Sequence, residues 1–311
     1  MKQGLKPRFG DGLRTALAGN LPPAVLATLP NGFQKMGSLA VLSLRDDALP
    51  FKKTIGEAAL ALTGCKTVCV KTGAVAGAFR QPSIEVAAGE ENTAVDFVES
   101  GCRYRFDAAK IMFSKGNLSE RRRIASLVSD GETVFDFFAG IGYFTIPIAV
   151  LAKPARVLSF EWNPEAFKWL EENIALNHAG GVATPFFGDC TEEAPKASQA
   201  LELKADRVIL GLLPAPKRAL PTAFAVANPK GAWLHYEGVA LAGKPPTELE
   251  EDVLQAAREA GFNAEVKNVE LVKSFGPRRE HVVLDVLANK PGSQTQQRVF
   301  YSPPVKQTSD G

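Results

Sequence analysis

The sequence predicts an α/β protein whose main part is a mostly parallel sheet ending in an antiparallel hairpin, preceded by a small α/β module. Three observations predict it. From about residue 133 onward, apolar runs of strand length alternate with helix-length segments, the pattern of a doubly wound sheet. The last two runs, Glu265 to Val272 and Glu280 to Leu287, are joined only by a turn around Ser274 to Pro277, too short for a helical crossover, so they pair antiparallel. Between Lys35 and Arg105 the runs are shorter and broken by Gly, Pro and Asp, as in a small mixed unit.

Residues 1–30 carry Lys2, Lys6, Arg8 and Arg14 against the single acid Asp11. No uninterrupted apolar stretch follows them, which excludes a secretory signal, and serine is too scarce for an organellar transit peptide. The segment reads as an exposed basic arm. Residues 31–105 form the small module, with strand candidates at Ser38 to Leu44, Thr67 to Lys71 and Ile84 to Ala88. Residues 106–288 form the larger domain. In it, strands are expected at Thr133 to Phe138, Arg156 to Glu161, Ala183 to Phe187, Asp206 to Leu212 and Ala232 to Glu237. Helices are expected at Tyr143 to Ala152, Pro164 to His178, Pro216 to Ala227 and Glu248 to Ala260. This is the outline of the class I S-adenosylmethionine-dependent, Rossmann-like transferases. Residues 289–311, rich in Gln, Ser, Pro and Thr, read as a disordered tail.

Composition narrows the function without choosing it. With 36 basic and 34 acidic residues the net charge is +2, so any charge argument is local. The longest uncharged run, between Asp136 and Lys153, is short of the roughly 18 residues a membrane span needs, so no membrane is expected. Four cysteines with no Cys-x-x-Cys pair and three histidines suggest neither a disulfide framework nor a zinc site. Reduced cysteines in a cytoplasmic, metal-free protein are the expectation, and a monomer is expected.

The strongest chemical signal is Phe135-Asp136-Phe137-Phe138-Ala139-Gly140-Ile141-Gly142-Tyr143, a strand running into a Gly-x-Gly turn. Gly140 and Gly142 let the backbone approach a ligand at the carboxyl edge of the sheet. Glu161 ends the next strand 21 residues after Gly140, near the offset at which an acid meets ribose hydroxyls. Thr145 stands where a dinucleotide fingerprint would have its third glycine, so a nucleoside without a pyrophosphate fits better. Asp189, followed by Cys190, closes the third strand, where a carboxylate can accept from an exocyclic amine. Both acids could instead cap the helices that follow.

A second signal is basic. Between Arg103 and Arg123 stand seven basic and two acidic residues, including Arg121, Arg122 and Arg123. This is a local surface suited to RNA phosphates, or else a solvated helix face capped by Ser119. Lys273 and Arg278 flank the turn of the terminal hairpin, a place where binding residues concentrate. Finally, Asp206-Arg207-Val208-Ile209-Leu210 runs into Gly211-Leu212-Leu213-Pro214, with no polar side chain to hold an amine under attack.

These motifs, with Ile111 to Asn117, Glu161-Trp162-Asn163-Pro164 and Val272 to Pro277, together resemble the wybutosine-synthesising tRNA aminocarboxypropyltransferases, relatives of the tRNA guanosine N1-methyltransferases. The resemblance runs from about Asn31 to Leu287 and is dense after Phe106. It implies transfer of the 3-amino-3-carboxypropyl group of S-adenosylmethionine to carbon 7 of 4-demethylwyosine in tRNA(Phe), leaving methylthioadenosine. By position in the motifs it implies that Ser114 and Arg121 bind the cofactor, with Arg121 facing its carboxylate. Glu161 would hold the ribose, and Asp189 and Cys190 would neighbour the adenine. The small module would serve tRNA binding. Methyl transfer to N1 of guanosine is the alternative, disfavoured by Gly211 to Pro214, where the sister family resembles Asn-Pro-Pro. No residue stands out as a general base.

Overall fold

The chain divides into two compact units, residues 1–113 and 114–311. A computed structural model describes residues 8–73, 77, 81–113 and 117–293.

The first unit opens with helices α1 (Phe9–Leu17) and α2 (Pro23–Thr28), so the described part of residues 1–30 is not an exposed arm. The reason lies in apolar spacing. Leu13, Leu17, Leu21, Val25 and Leu29 recur at every fourth position and are all buried in one cluster with Ile55 and Ala59. Arg14 is spent inside the unit, donating to the Leu29 carbonyl at 2.7 Å. Then come β1 (Gln34–Met36), β2 (Leu39–Ser43), α3 (Lys52–Thr63), β3 (Thr67–Lys71) and β4 (Ile84–Gly89). They form a sheet in sequence order in which only β2 and β3 are parallel, joined by α3. A hairpin of β5 (Ala94–Glu99) and β6 (Cys102–Asp107) completes the unit. Because Phe106 and Asp107 pair back onto Val95 and Ala94, the division falls after Phe113 rather than between residues 105 and 106.

In the second unit α4 (Leu118–Leu127) precedes β7 (Thr133–Asp136), α5 (Thr145–Leu151), β8 (Arg156–Glu161), α6 (Pro164–Leu176) and β9 (Ala183–Phe187). There follow α7 (Cys190–Ala200), β10 (Arg207–Leu210), α8 (Leu220–Val226), β11 (Ala232–Leu241), α9 (Thr247–Glu259), β12 (Asn263–Gly276) and β13 (Arg279–Asn289). The sheet order is β12-β13-β11-β10-β7-β8-β9. Every pairing is parallel except β12 with β13 and β13 with β11. The chain therefore winds one way from β7 and the other way from β10. The carboxyl ends of those two strands flank the switch point at which such sheets take ligands. One face is apolar: Phe135, Phe137, Phe160, Leu210, Tyr236 and Phe224 lie in a single buried cluster. At one edge β9 is short and carries Pro185; at the other, β12 pairs with three register shifts. Residues 294–311, most of the predicted tail, lie outside the described residues, and Asn289 still belongs to β13.

Candidate active site

The Gly-x-Gly turn is built as the sequence suggests, and the structure adds what braces it. Gly140 and Gly142 have φ of +58° and +98°, backbone conformations that cost little only for glycine. A Cβ on Gly140 would fall 2.5 Å from the Tyr143 ring, and one on Gly142 2.6 Å from Ile146. Asp136, wholly buried below the turn, accepts from the Thr145 amide at 3.1 Å and the Thr145 hydroxyl at 2.7 Å. That hydroxyl has spent its proton on Asp136, so the Ser159 hydroxyl donates to it, at 2.7 Å. Burial pushes the Asp136 carboxyl up to about 7 despite the bonds from Thr145. From α6, Asn173 donates to the Ile141 carbonyl at 3.0 Å and pins the turn from behind.

Glu161 stands at the end of β8 and is 8% exposed. Its Oε2 accepts from the Gly140 amide and its Oε1 from the Asn163 amide, each at 2.7 Å. Burial raises this carboxyl, and the backbone bonds oppose the shift. The two carboxylate oxygens keep further lone pairs, so a ribose diol can be received beside the turn. The capping part of the alternative belongs to Asn163, whose side chain accepts from the Glu165 amide at the start of α6.

Asp189 does cap a helix. Its Oδ1 accepts from the Thr191 amide and hydroxyl, each at 2.9 Å, and its Oδ2 from Arg218 at 2.8 Å. Burial alone would raise the Asp189 carboxyl, but these bonds hold it below the usual range, so it stays an ionised acceptor. Cys190 is 2% exposed and burial pushes its thiol up to about 12, which makes it a neutral neighbour rather than a nucleophile. Between the ends of β8 and β9 the structure adds two residues that sequence reading missed, Trp162 and Phe187, large apolar side chains left 44% and 55% exposed. Arg218 lies over the Trp162 ring at 5.7 Å. Position was their signal: Trp162 directly follows Glu161, and Phe187 ends β9 two residues before Asp189.

Of the basic candidates, the structure brings some to the turn and removes others. Arg121 is buried on α4 with its guanidinium 4.8 Å from the centre of the Tyr143 ring, just past Gly142. Arg122 is exposed. Arg123 is not a surface cation: its side chain is 8% exposed, forked onto Glu120 at 2.7 and 2.8 Å and onto Asp285 of β13 at 2.7 and 3.1 Å. Arg103 and Arg105 are likewise both bound to Asp96, so the local positive excess is much smaller than its residue count. Lys273 sits within β12, half-buried, and its ammonium is disfavoured by burial and by Arg121. Arg278 is exposed at the two-residue turn between β12 and β13. Ser114 lies outside the described residues.

The face of the sheet under α4 carries a buried polar network. Arg207 is 2% exposed and donates to Glu132, to the Leu127 carbonyl and to His235 Nε2. A guanidinium only donates, so His235 Nε2 accepts and the proton sits on Nδ1, which donates to Asp285 at 2.6 Å. His235 is thus a neutral buried imidazole, and burial pushes it down to about 4. Burial works against the ionised Asp285, but His235 and Arg123 overcome it and hold that carboxyl far below its ordinary value. Glu120 is also buried, which pushes it up to about 7 against the pull of Arg123. None of Glu120, His235 or Asp285 carried a pattern in the sequence, because their partners come from elements far apart in the chain.

Left-handed glycines, a buried acid at each flank and Arg121 beside the turn form a cradle that suits a nucleoside joined to a charged amino acid, as S-adenosylmethionine is. Among the described residues, no group of three or more His, Cys, Asp or Glu is placed to hold a metal ion, and no helix is long and apolar enough to cross a membrane. Comparison with known proteins agrees with this geometry. Residues 95–264 match the TRM5/TYW2 methyltransferase domain and residues 13–93 the TYW2 N-terminal domain. The chain is 35% identical to the tRNA(Phe) (4-demethylwyosine(37)-C(7)) aminocarboxypropyltransferase of Pyrococcus horikoshii, over 91% of this chain and 97% of that protein. It is 32% identical to the tRNA (guanine(37)-N(1))-methyltransferase Trm5b of Pyrococcus abyssi, over 86% of this chain and 77% of that one. The crystal structure of P. horikoshii TYW2 in complex with MeSAdo superposes with a TM-score of 0.76 at 31% identity, covering 90% of this chain and 99% of that one. With both of its units matched, the chain belongs to the TRM5/TYW2 family, and its amino-terminal unit is of the TYW2 kind.

Proposed function

We propose that the protein transfers the 3-amino-3-carboxypropyl group of S-adenosylmethionine to carbon 7 of 4-demethylwyosine in tRNA(Phe), releasing methylthioadenosine, as a step of wybutosine synthesis. The observation that carries the choice is the end of β10. Gly211 stands there without a side chain, and a Cβ would fall 2.9 Å from the Phe144 ring, so β10 offers no group to hold an amine or ring nitrogen for methylation. Bound S-adenosylmethionine supplies a sulfonium whose three carbons are all open to attack, so geometry selects the one that reacts.

The residues divide the work. Glu161 receives the ribose beside the Gly140 amide, and Trp162 and Phe187 offer apolar surface to the adenine. Asp189 supplies an anionic acceptor and Cys190 a neutral contact. Arg121, held over Tyr143, receives the carboxylate and so turns the aminocarboxypropyl arm, with Ser114 as its second contact. Arg122 and Arg278 contribute exposed positive charge for tRNA phosphates, with Lys273 at their margin. The reading extends to a monomer working in the cytoplasm, where four free cysteines are ordinary.

The test is to incubate the protein with S-adenosylmethionine and tRNA(Phe) carrying 4-demethylwyosine, then identify the nucleoside by-product. Methylthioadenosine with a matching mass gain on the tRNA is expected. S-adenosylhomocysteine would mean that the methyl moved, and the guanosine methyltransferase reading would replace this one.

A further inference from the structure

Midway along β11 stands a buried acid that the roles above leave unused. Glu237 is 3% exposed. Its Oε2 is bound to Nε2 of His281, on β13, at 3.1 Å, while its Oε1 has no hydrogen-bond partner among the described residues. Leu210 pairs with Tyr236, so Glu237 is level with Gly211, the residue that follows the end of β10. A Cβ on Gly211 would lie 3.7 Å from Glu237 Oε1. The neighbouring strand thus delivers a carboxylate to the place where β10 ends without a polar side chain. Buried carboxylate oxygens are ordinarily satisfied, and an exception beside a strand end that takes ligands points to a partner that arrives.

Strand order says which partner. Glu161 ends β8 and Asp189 follows β9, on one side of the glycine turn of β7, whereas Glu237 lies within β11 on the other side, beyond β10. A nucleoside lying over β8 and β9 has its sulfur near β7, so the attacking base approaches over β10 and β11. The charged groups facing Glu237 are His281 from β13, Lys273 from β12, and Glu120 from α4, with Arg121 of α4 beside Lys273. His281 donates through Nε2 to Oε2, which leaves Oε1 as the open oxygen.

We infer that Glu237 is the base that takes the proton from carbon 7 of the nucleobase, and that His281 positions it; this rests on the proposed function. Carbon 7 bonds to the γ-carbon of the aminocarboxypropyl group, the bond from that carbon to sulfur breaks, and its electron pair leaves on the neutral thioether. The carbon 7 proton passes to Glu237 Oε1, and the pair that held it returns to the ring.

Full-length protein and Glu237→Gln are compared by single-turnover rate at saturating S-adenosylmethionine and tRNA, by calorimetric affinity for each ligand, and by melting temperature. The rate is expected to fall at least about 100-fold, with both affinities within about threefold of wild type. A variant rate within about threefold of wild type overturns the inference, and so does a preserved saturating rate with weakened S-adenosylmethionine binding, which would make Glu237 a ligand for the amino group. If Glu237→Gln melts early, His281→Asn decides: a loss of about tenfold in rate at unchanged affinities is expected, and an unchanged rate overturns the inference. Wild-type protein that makes no methylthioadenosine would instead remove the proposed function, so the two failures are distinct.

Discussion

At the scale of single residues, the site depends on backbone that only glycine adopts cheaply. Gly142→Ala places a Cβ 2.6 Å from Ile146 at φ +98°, and the loss should appear in cofactor affinity before stability. Calorimetry is expected to show S-adenosylmethionine binding weakened at least about tenfold, since a left-handed conformation costs a non-glycine residue about 1–2 kcal/mol before any clash. Arg121→Ala should likewise weaken binding about tenfold or more through loss of a charge-assisted bond; unchanged turnover at low cofactor would remove Arg121 from the carboxylate. The glycines and Glu161 were legible because strand, turn and offset lie within one continuous stretch. Glu237 was not, since its meaning comes from Gly211 on another strand and His281 on a third.

At the scale of elements, α4 is the informative one. Its sequence, Leu-Ser-Glu-Arg-Arg-Arg-Ile-Ala-Ser-Leu, reads as a basic helix face capped by Ser119. In the structure the cap position is Asn117, and Glu120 and Arg121 face inward with Ile124. Arg123 fastens the helix to β13, and Arg207 reaches the helix end at Leu127. Arg123→Ala strands Asp285 and Glu120 in a buried setting, and denaturant unfolding should show a loss of about 3–5 kcal/mol. Arg122→Ala, one residue away, should change stability by no more than about 0.5 kcal/mol. It should instead lower the slope of log K for tRNA against log salt by about 0.7–0.9, the share of one phosphate. An equal slope change in both variants would contradict the burial of Arg123. The helix α7 entered the sequence reading only as the one that Asp189 could cap, without a range, because Pro195 inside it and its polar first turn hide its periodicity.

At the scale of the whole molecule, stability should depend on pH through the buried polar face. His235 is neutral when folded and is pushed from 6.5 down to about 4, so between those values the unfolded chain binds a proton that the folded chain does not. Its contribution is therefore present above about pH 6.5 and lost as pH falls towards 4. Glu120 and Asp136, raised to about 7, act the other way as pH rises, so the comparison needs a variant. Gln at position 235 can accept from Arg207 and donate to Asp285 without titrating. Wild type should lose about 2 kcal/mol relative to His235→Gln between pH 7 and pH 5 in urea unfolding, and parallel curves would refute the neutral assignment. The parallel sheet and its hairpin were readable from the alternation of runs, whereas in residues 1–30 the basic residues Lys2, Lys6, Arg8 and Arg14 drew the reading away from the apolar stripe from Leu13 to Leu29, which holds only one of them. The open edge at β9 has a further consequence. Val157 donates to the Val182 carbonyl and Gly188 to the Glu161 carbonyl, so even-numbered residues of β9 face β8 and Pro185 faces outward. The ladder thus loses nothing to the proline, while an incoming strand would meet a missing donor halfway along a five-residue border. Pro185→Thr would restore that donor, and growth of light scattering with concentration is the expected sign that sheets from separate molecules have begun to join.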